Sequence, residues 1–165
     1  MKELEGFTEL EGSLRRLENS LTDENLRRIT RKGAAQVLEA VRSKAPKDKG
    51  LLREGIILKP EKSRTKGKTG YDVMMDPQLN DLFQKPIINR QRSKSPYGYY
   101  PASQEYGYFT RRPGGGMVYV KSDGSTGKMN KVPGKHYMLS GAEDAGEGAK
   151  DTIIRGVEDL IDKEF

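Results

Sequence analysis

The feature that most constrains the fold is the regular spacing of apolar residues in the N-terminal part of the chain. A first set recurs at alternating steps of three and four: Phe7, Leu10, Leu14, Leu17 and Leu21. A second set continues this spacing: Leu26, Ile29, Gly33, Val37, Val41 and Ala45. Thr22 and Asp23 offer side-chain acceptors that can cap the second set, and Pro46 excludes helical geometry at Ala45. The pattern predicts two amphipathic helices, the second of about 22 residues.

Short strands are predicted next. The β-branched run around Ile56 and Ile57 ends at Pro60, and Tyr71 to Met75 follows as a second strand. The segment between them, residues 61–70, alternates basic residues with Ser, Thr and Gly, which is typical of a solvated hairpin loop. Residues 76–96 contain three prolines and form an inserted arm in this interpretation.

The C-terminal part is predicted to contain one strand and one long helix. Met117 to Lys121 alternates like a strand, and Asp123 to Gly127 is rich in turn residues. Ser140 with Glu143 three residues later forms the pattern of a capping box at the start of the last helix. The buried stripe of that helix is predicted to be Ala142, Ala145, Ala149, Ile153, Val157, Leu160 and Ile161.

These elements predict a single α+β domain over residues 1–165. Two N-terminal helices and a long C-terminal helix pack on a small antiparallel sheet with long polar loops. Only 33% of the 165 residues are hydrophobic, which limits the size of one core. No apolar run approaches the roughly 20 residues needed to span a bilayer, so we expect no membrane segment.

The composition also excludes several kinds of chemistry. The chain has no cysteine, so disulfides, thiol catalysis and thiolate metal sites are excluded. His136 is the sole histidine and cannot form a two-histidine metal site. We therefore expect no catalytic residue, no metal site, no cofactor and no small-molecule substrate.

Charge is unevenly distributed along the chain. Residues 43–68 carry nine basic and three acidic groups, whereas residues 143–165 carry three basic and eight acidic groups. A basic middle and an acidic tail can meet between copies, or the basic part can face a polyanion. A basic nucleic-acid-binding protein is therefore one alternative, and a small metal-dependent nuclease using Asp72 or Asp76 is another.

Short motifs in a fixed order resemble a known family. The N-terminal helices end in Ala45-Pro46-Lys47-Asp48-Lys49-Gly50-Leu51-Leu52-Arg53, and two strands follow. Tyr99-Tyr100 and Glu105-Tyr106-Gly107 come next, and Pro133 and Tyr137-Met138-Leu139 precede the last helix. This order is similar to that of the lambdoid gene-product-ten-like proteins, the neck, tail-completion or head-tail joining family of long-tailed bacteriophages.

The resemblance implies a structural virion protein without catalysis. It implies a homo-oligomeric ring, expected to be a hexamer or dodecamer, located in the virion neck and assembled in the host cytoplasm. Its partners would be other neck, head-closure and tail-terminator proteins, with non-specific contact to packaged DNA as a further possibility.

Two groups of residues are candidates for these contacts. The candidate subunit or partner interface consists of Tyr99, Tyr100, Glu105, Tyr106, Tyr137, Glu143, Asp144 and Glu147. The candidate basic loop, facing a partner or a DNA channel, contains Lys62, Arg64, Lys66 and Lys68.

Overall fold

The two N-terminal helices are present. The computed structural model describes residues 2–47, 50–62, 65, 68–86, 97–110, 117–120 and 125–163. Helix α1 is Lys2–Ser20 and helix α2 is Asp23–Lys44. The Thr22 hydroxyl accepts a hydrogen bond from the Asn25 amide at 3.3 Å, and α2 ends directly before Ala45. Both predicted ends of α2 are therefore confirmed.

Two small antiparallel sheets follow. The short helix α3, Leu51–Glu54, leads into β1, Ile56–Pro60, which pairs with β2, Tyr71–Met75. The predicted hairpin is thus confirmed. A 3-10 turn at Pro77–Leu79 and helix α4, Asn80–Phe83, precede β3, Gln84–Pro86, which pairs with β4, Tyr97–Tyr99. Strand β3 lies within the predicted arm, and β4 directly follows the arm. Residues 87–96 of the arm are outside the described part of the chain.

A third sheet lies beyond helix α5, Tyr100–Tyr106. Its strands are β5, Gly107–Thr110, β6, Met117–Val120, and β7, Thr126–Pro133, in the order β5-β7-β6. We call it the distal sheet.

The distal sheet corrects one prediction and confirms another. The strand expected from Met117 is present as β6. Thr126 and Gly127, expected in a turn, instead begin β7, while residues 121–124 lie outside the described residues. Lysine, asparagine and glycine conceal β7 in the sequence, but its backbone pairs with a strand on each side.

The long C-terminal helix α6 is Tyr137–Asp162, so the predicted capping box at Ser140 is wrong. The Ser140 amide donates to the His136 carbonyl at 2.8 Å and already lies inside the helix. Ala142 and Ile161 were expected in the buried stripe but are exposed. The stripe is instead supplemented by Gly141 and Gly156, which face α2.

Helices α2 and α6 pack antiparallel through glycines. Gly33 faces Ile153, Gly141 faces Val41, and Gly156 faces Ile29. A Cβ at Gly141 would lie 2.5 Å from the Val41 Cα, so only glycine allows this approach. The largest buried cluster adjoins the pair: Val41, Ala45, Leu52, Ile56, Phe83 and Tyr137. The α+β class is confirmed, although the strands form three small sheets; the single domain stays a prediction.

Candidate assembly interface

Tyr99 and Tyr100 lie where β4 passes into α5. The Tyr99 ring meets Phe83 edge to face, with ring centroids 6.1 Å apart. Its hydroxyl donates to the Asn80 side-chain oxygen at 3.1 Å, and burial raises the pKa of Tyr99. Tyr100 is half-buried at the start of α5. Tyr99 therefore stabilises the monomer through contacts within the chain.

Glu105 is a buried carboxylate, with 7% of its surface exposed. It accepts hydrogen bonds from the Met138 amide at 2.9 Å and the Leu139 amide at 3.2 Å. These amides belong to the first turn of α6, where backbone N–H groups lack helical partners and the helix dipole favours a negative charge. Glu105 thus performs the capping that the sequence assigned to Ser140.

The backbone around Glu105 is held to the segment before α6. The Gln104 carbonyl accepts from the Lys135 amide at 2.7 Å, and the Glu105 carbonyl accepts from His136 at 3.1 Å. Gly134 lies directly against the Glu105 carbonyl, which leaves no space for a Cβ. His136 has a left-handed backbone with φ of 47°. These contacts fasten the end of α5 to the start of α6.

Tyr137 is the largest fully buried side chain, with 1% of its surface exposed. Its hydroxyl donates to the Met75 sulfur at 3.9 Å and so reaches β2. Burial, followed by the negative charge of Glu105, raises the pKa of Tyr137 far above its usual range. The phenol therefore remains neutral and acts as part of the core.

The candidate interface residues thus divide into two sets. Tyr99, Glu105 and Tyr137 have partners inside the chain. The exposed members are Tyr106 at the end of α5 and three acidic residues in the first half of α6: Glu143, Asp144 and Glu147. Asp144 forms an ion pair with Lys44 of α2, and Glu147 lies 3.4 Å from the Lys150 ammonium. The exposed set presents the largest surface to another molecule, and Tyr100, which is half-buried, lies between the two sets.

The basic loop is anchored at its base. The Glu61 amide donates to the Gly70 carbonyl at 2.9 Å, and the Thr69 hydroxyl lies 3.0 Å from that of Thr30 on α2. Lys62 and Lys68 are exposed beside these contacts, while Arg64 and Lys66 lie outside the described residues. The hydrogen bond between Thr30 and Thr69 brings the loop next to α2.

This contact extends the basic region beyond the loop. Four exposed cations of α2 form no ion pair with another described residue: Arg27, Arg28, Arg31 and Lys32. Thr30 faces the loop, and Arg27 and Arg31 lie nearest to it around the helix, so these two cations are the ones closest to Lys68. Arg28 and Lys32 are each two residues from Thr30 and lie on the other side of α2.

The distal sheet adds residues that the sequence did not single out. Tyr108 and Phe109 are exposed on β5, and Lys131 lies directly across from Phe109 on β7. Because β7 was not predicted, the sequence did not reveal that Phe109 lies across from a lysine. The sheet is joined to the helices through α5.

The nuclease alternative requires carboxylates that converge on a metal ion. The described residues contain no group of three histidine, aspartate or glutamate side chains that could hold a metal ion. The Asp76 carboxylate accepts from the Gln78 amide at 2.9 Å, and Asp72 pairs across the hairpin with Lys59. An open cavity of about 400 Å³ is lined by Glu39, Arg42, Arg53 and Glu54.

That cavity has a structural explanation. The Arg42 guanidinium donates to the Ile56 carbonyl at 2.7 Å and is 3.4 Å from Glu39. The Arg42 guanidinium therefore holds α2 against β1. Within the described part of the chain, no helix has the length and apolar character needed to cross a membrane.

Comparison with known proteins agrees with a protein that acts by contacting other proteins through its surface. A family model described as "Bacteriophage HK97-gp10, putative tail-component" matches residues 8–100, from α1 to the start of α5. No curated protein and no solved structure matches the chain. The match covers more than half of the sequence and confirms the resemblance seen in its motifs. The chain therefore belongs to the HK97-gp10-like family of bacteriophage structural tail components.

Proposed function

We propose that this protein is a neck, or tail-completion, component that assembles as a ring and joins the DNA-filled head to the tail. Membership in a family of phage tail components supplies the structural context. The observation that carries the proposal is the separation of opposite charges onto different exposed elements. The basic loop and the distal sheet carry lysines, whereas the outer face of α6 is acidic.

The acidic face of α6 is extensive. Glu143, Asp144 and Glu147 are followed by Asp151 and Glu158, and all five side chains are exposed. A contact between this face and a basic patch on the next copy joins two different surfaces. Such heterologous contacts produce a ring when the rotation between copies closes. A hexamer or a dodecamer is the expected product.

The partners in the virion would be other neck, head-closure and tail-terminator proteins. Tyr106 is 73% exposed and lies at the corner between α5 and the distal sheet, where it can contact an adjoining ring. Aromatic side chains in such positions supply a large apolar area with few rotatable bonds. No small molecule is needed for this function.

The direct test is the mass of the purified protein, alone and with tail tubes or DNA-filled heads. Light scattering and negative-stain imaging should show rings, or monomers that form rings only at the end of a head or tail. A monomer that ignores both particles would contradict the proposal.

The loop gives a sharper test. Deletion of residues 62–68 should leave the fold intact because Glu61 and Gly70 already pair at the base of the loop. We expect this variant to fail in joining heads to tails. A matched variant keeps the length of the loop but replaces its four cations with glutamine. It therefore distinguishes an effect of charge from an effect of loop length. Unaltered joining by the deletion variant would contradict a role for the loop.

A second candidate function is non-specific contact with packaged DNA. It is favoured by exposed Arg27 and Arg31 of α2, which lie near Thr30 and therefore near the loop that Thr69 joins to it. Lysine and arginine bind phosphates without reading bases, and the affinity falls steeply as salt rises. A channel that DNA traverses needs this kind of weak contact.

This function is tested by duplex DNA binding over a range of salt concentrations. Substitution of Arg27 and Arg31 by glutamine should weaken binding equally for unrelated sequences and reduce the salt dependence. Arg15 and Arg16 on α1 provide a control pair, because they are exposed but belong to another helix. Equal losses from both pairs would contradict a dedicated DNA-binding surface.

A further inference from the structure

Helix α1 has an apolar face that the described monomer leaves open. Phe7 is 76% exposed, Leu10 is 49% exposed and Leu14 is 52% exposed. Steps of three and four residues place these side chains on one face of the helix. Contiguous apolar surface of this kind marks an interaction site in a soluble protein. We call Phe7, Leu10 and Leu14 the α1 stripe.

The outer face of α6 is a poor cover for the α1 stripe. It does expose apolar residues, such as Ile154, but they lie among acidic side chains. The α1 stripe is itself bordered by exposed Glu11 and Glu18. Glu11 is paired with Arg15 at 2.7 Å, so Glu18 is the residue whose like charge would meet the acidic side chains of α6 in such a contact.

The distal sheet has the complementary chemistry. Phe109 is 51% exposed, and its cross-strand neighbour Lys131 lies on the same face with Pro133, both exposed. Residues 106–136 contain six basic residues and one acidic residue. An apolar face beside Lys131 matches an apolar stripe beside Glu18.

The elements that carry the two surfaces are connected to opposite ends of the α2–α6 pair. Because the pair is antiparallel, α1 joins α2 near the C-terminal end of α6, where Gly156 faces Ile29. The distal sheet follows Glu105, which caps the N-terminal end of α6. A helix of 26 residues is about 39 Å long. This separation favours contact between copies over contact within one chain.

We propose that the α1 stripe of one copy docks on the Phe109 and Lys131 face of the distal sheet of a second copy. The inference rests on the proposed ring and identifies one of the contacts that builds it. Joining one end of a copy to the opposite end of the next is heterologous, so the same contact can repeat around a ring.

The absence of cysteine makes a cross-linking test direct, because any introduced thiol is unique. Leu10→Cys and Phe109→Cys are prepared as separate full-length chains, mixed, assembled on heads or tails, and treated with a short bismaleimide. Gly146→Cys serves as a matched control on α6, where a Cβ meets nothing within 4 Å. We expect about tenfold more cross-linking of L10C with F109C than of L10C with G146C.

Three outcomes would overturn the inference. Equal yields with the control would mean that the α1 stripe has no preferred partner. Preferential L10C–L10C products would mean that α1 pairs with α1. A double variant that cross-links within one chain at high dilution would place both surfaces in the same copy. Rings that form without the expected product contradict this contact alone, whereas a chain that joins neither heads nor tails contradicts the proposed function as well.

Discussion

The α2–α6 pair and the distal sheet differ in how much of their apolar surface they bury. Both contain apolar side chains that water disfavours. The helix pair buries its apolar side chains because the two backbones approach closely at Gly33 and Gly141. Tyr137, which adjoins the pair, is almost completely buried. The distal sheet leaves Phe109 half exposed and is joined to the helices through α5.

This difference separates the part of the molecule that folds from the part that assembles. Burial of apolar area stabilises the monomer at about 25 cal/mol per Å², so the buried residues of the helix pair and of the adjoining cluster contribute to that stability. Exposed apolar residues contribute little until another surface covers them. Substitutions in the two regions should therefore be distinguishable by whether they change the free energy of unfolding or the extent of assembly.

The largest contrast is expected between Tyr137 and Phe109. Tyr137→Ala leaves a cavity in the core and should lower the free energy of unfolding by about 3–5 kcal/mol. Phe109→Ala should change it by less than about 0.5 kcal/mol and should reduce ring assembly instead. Urea unfolding followed by circular dichroism measures the first effect, and light scattering measures the second. A similar stability loss in both variants would abolish the contrast.

The next effect concerns the cap of α6. Glu105→Ala removes the carboxylate that accepts from the Met138 and Leu139 amides, leaving them without their partner. We expect a loss of about 2–3 kcal/mol in the free energy of unfolding. Glu143→Ala is the control, because that carboxylate is exposed on the same helix. A loss confined to Glu143→Ala would show that the helix is capped differently.

The glycines of α6 give a smaller but well-matched comparison. Gly141→Ala forces α2 and α6 apart, since the added carbon would lie 2.5 Å from the Val41 Cα, and should cost about 1–3 kcal/mol. Gly146→Ala adds a carbon in open space and should stabilise the helix by about 0.5–1 kcal/mol. Opposite signs in thermal unfolding are expected. Stabilisation by both substitutions would mean that the close approach is not required.

The parts of this fold that the sequence predicts are those with local signals. Both ends of α2 follow from Thr22 and Pro46, which act within one turn of the helix. The start of α6 could not be found in this way because its cap, Glu105, lies 33 residues before Met138. The capping-box pattern at Ser140 is local and was misleading, because the cap is formed by the long-range contact of Glu105 instead.

The candidate site shows the same division. Exposure of Lys62 and Lys68 follows from a loop composition that cannot be buried. Residue types alone did not separate Glu105 and Tyr137, which serve the core, from Tyr106, which is exposed. Strand β7 was missed because its backbone pairing, rather than an alternating pattern of side chains, holds it in the sheet.

The smallest effect on monomer stability is expected on the outer face of α6. Asp144→Asn removes an ion pair with Lys44 that is partly exposed, and such pairs contribute at most about 1 kcal/mol. Asp151→Asn controls for the change in net charge on the same helix. If the acidic face contacts the next copy, both variants should reduce assembly at low salt while unfolding almost as the parent does. A stability loss as large as that of Tyr137→Ala would instead assign this face to the folded core and remove it from the proposed interface.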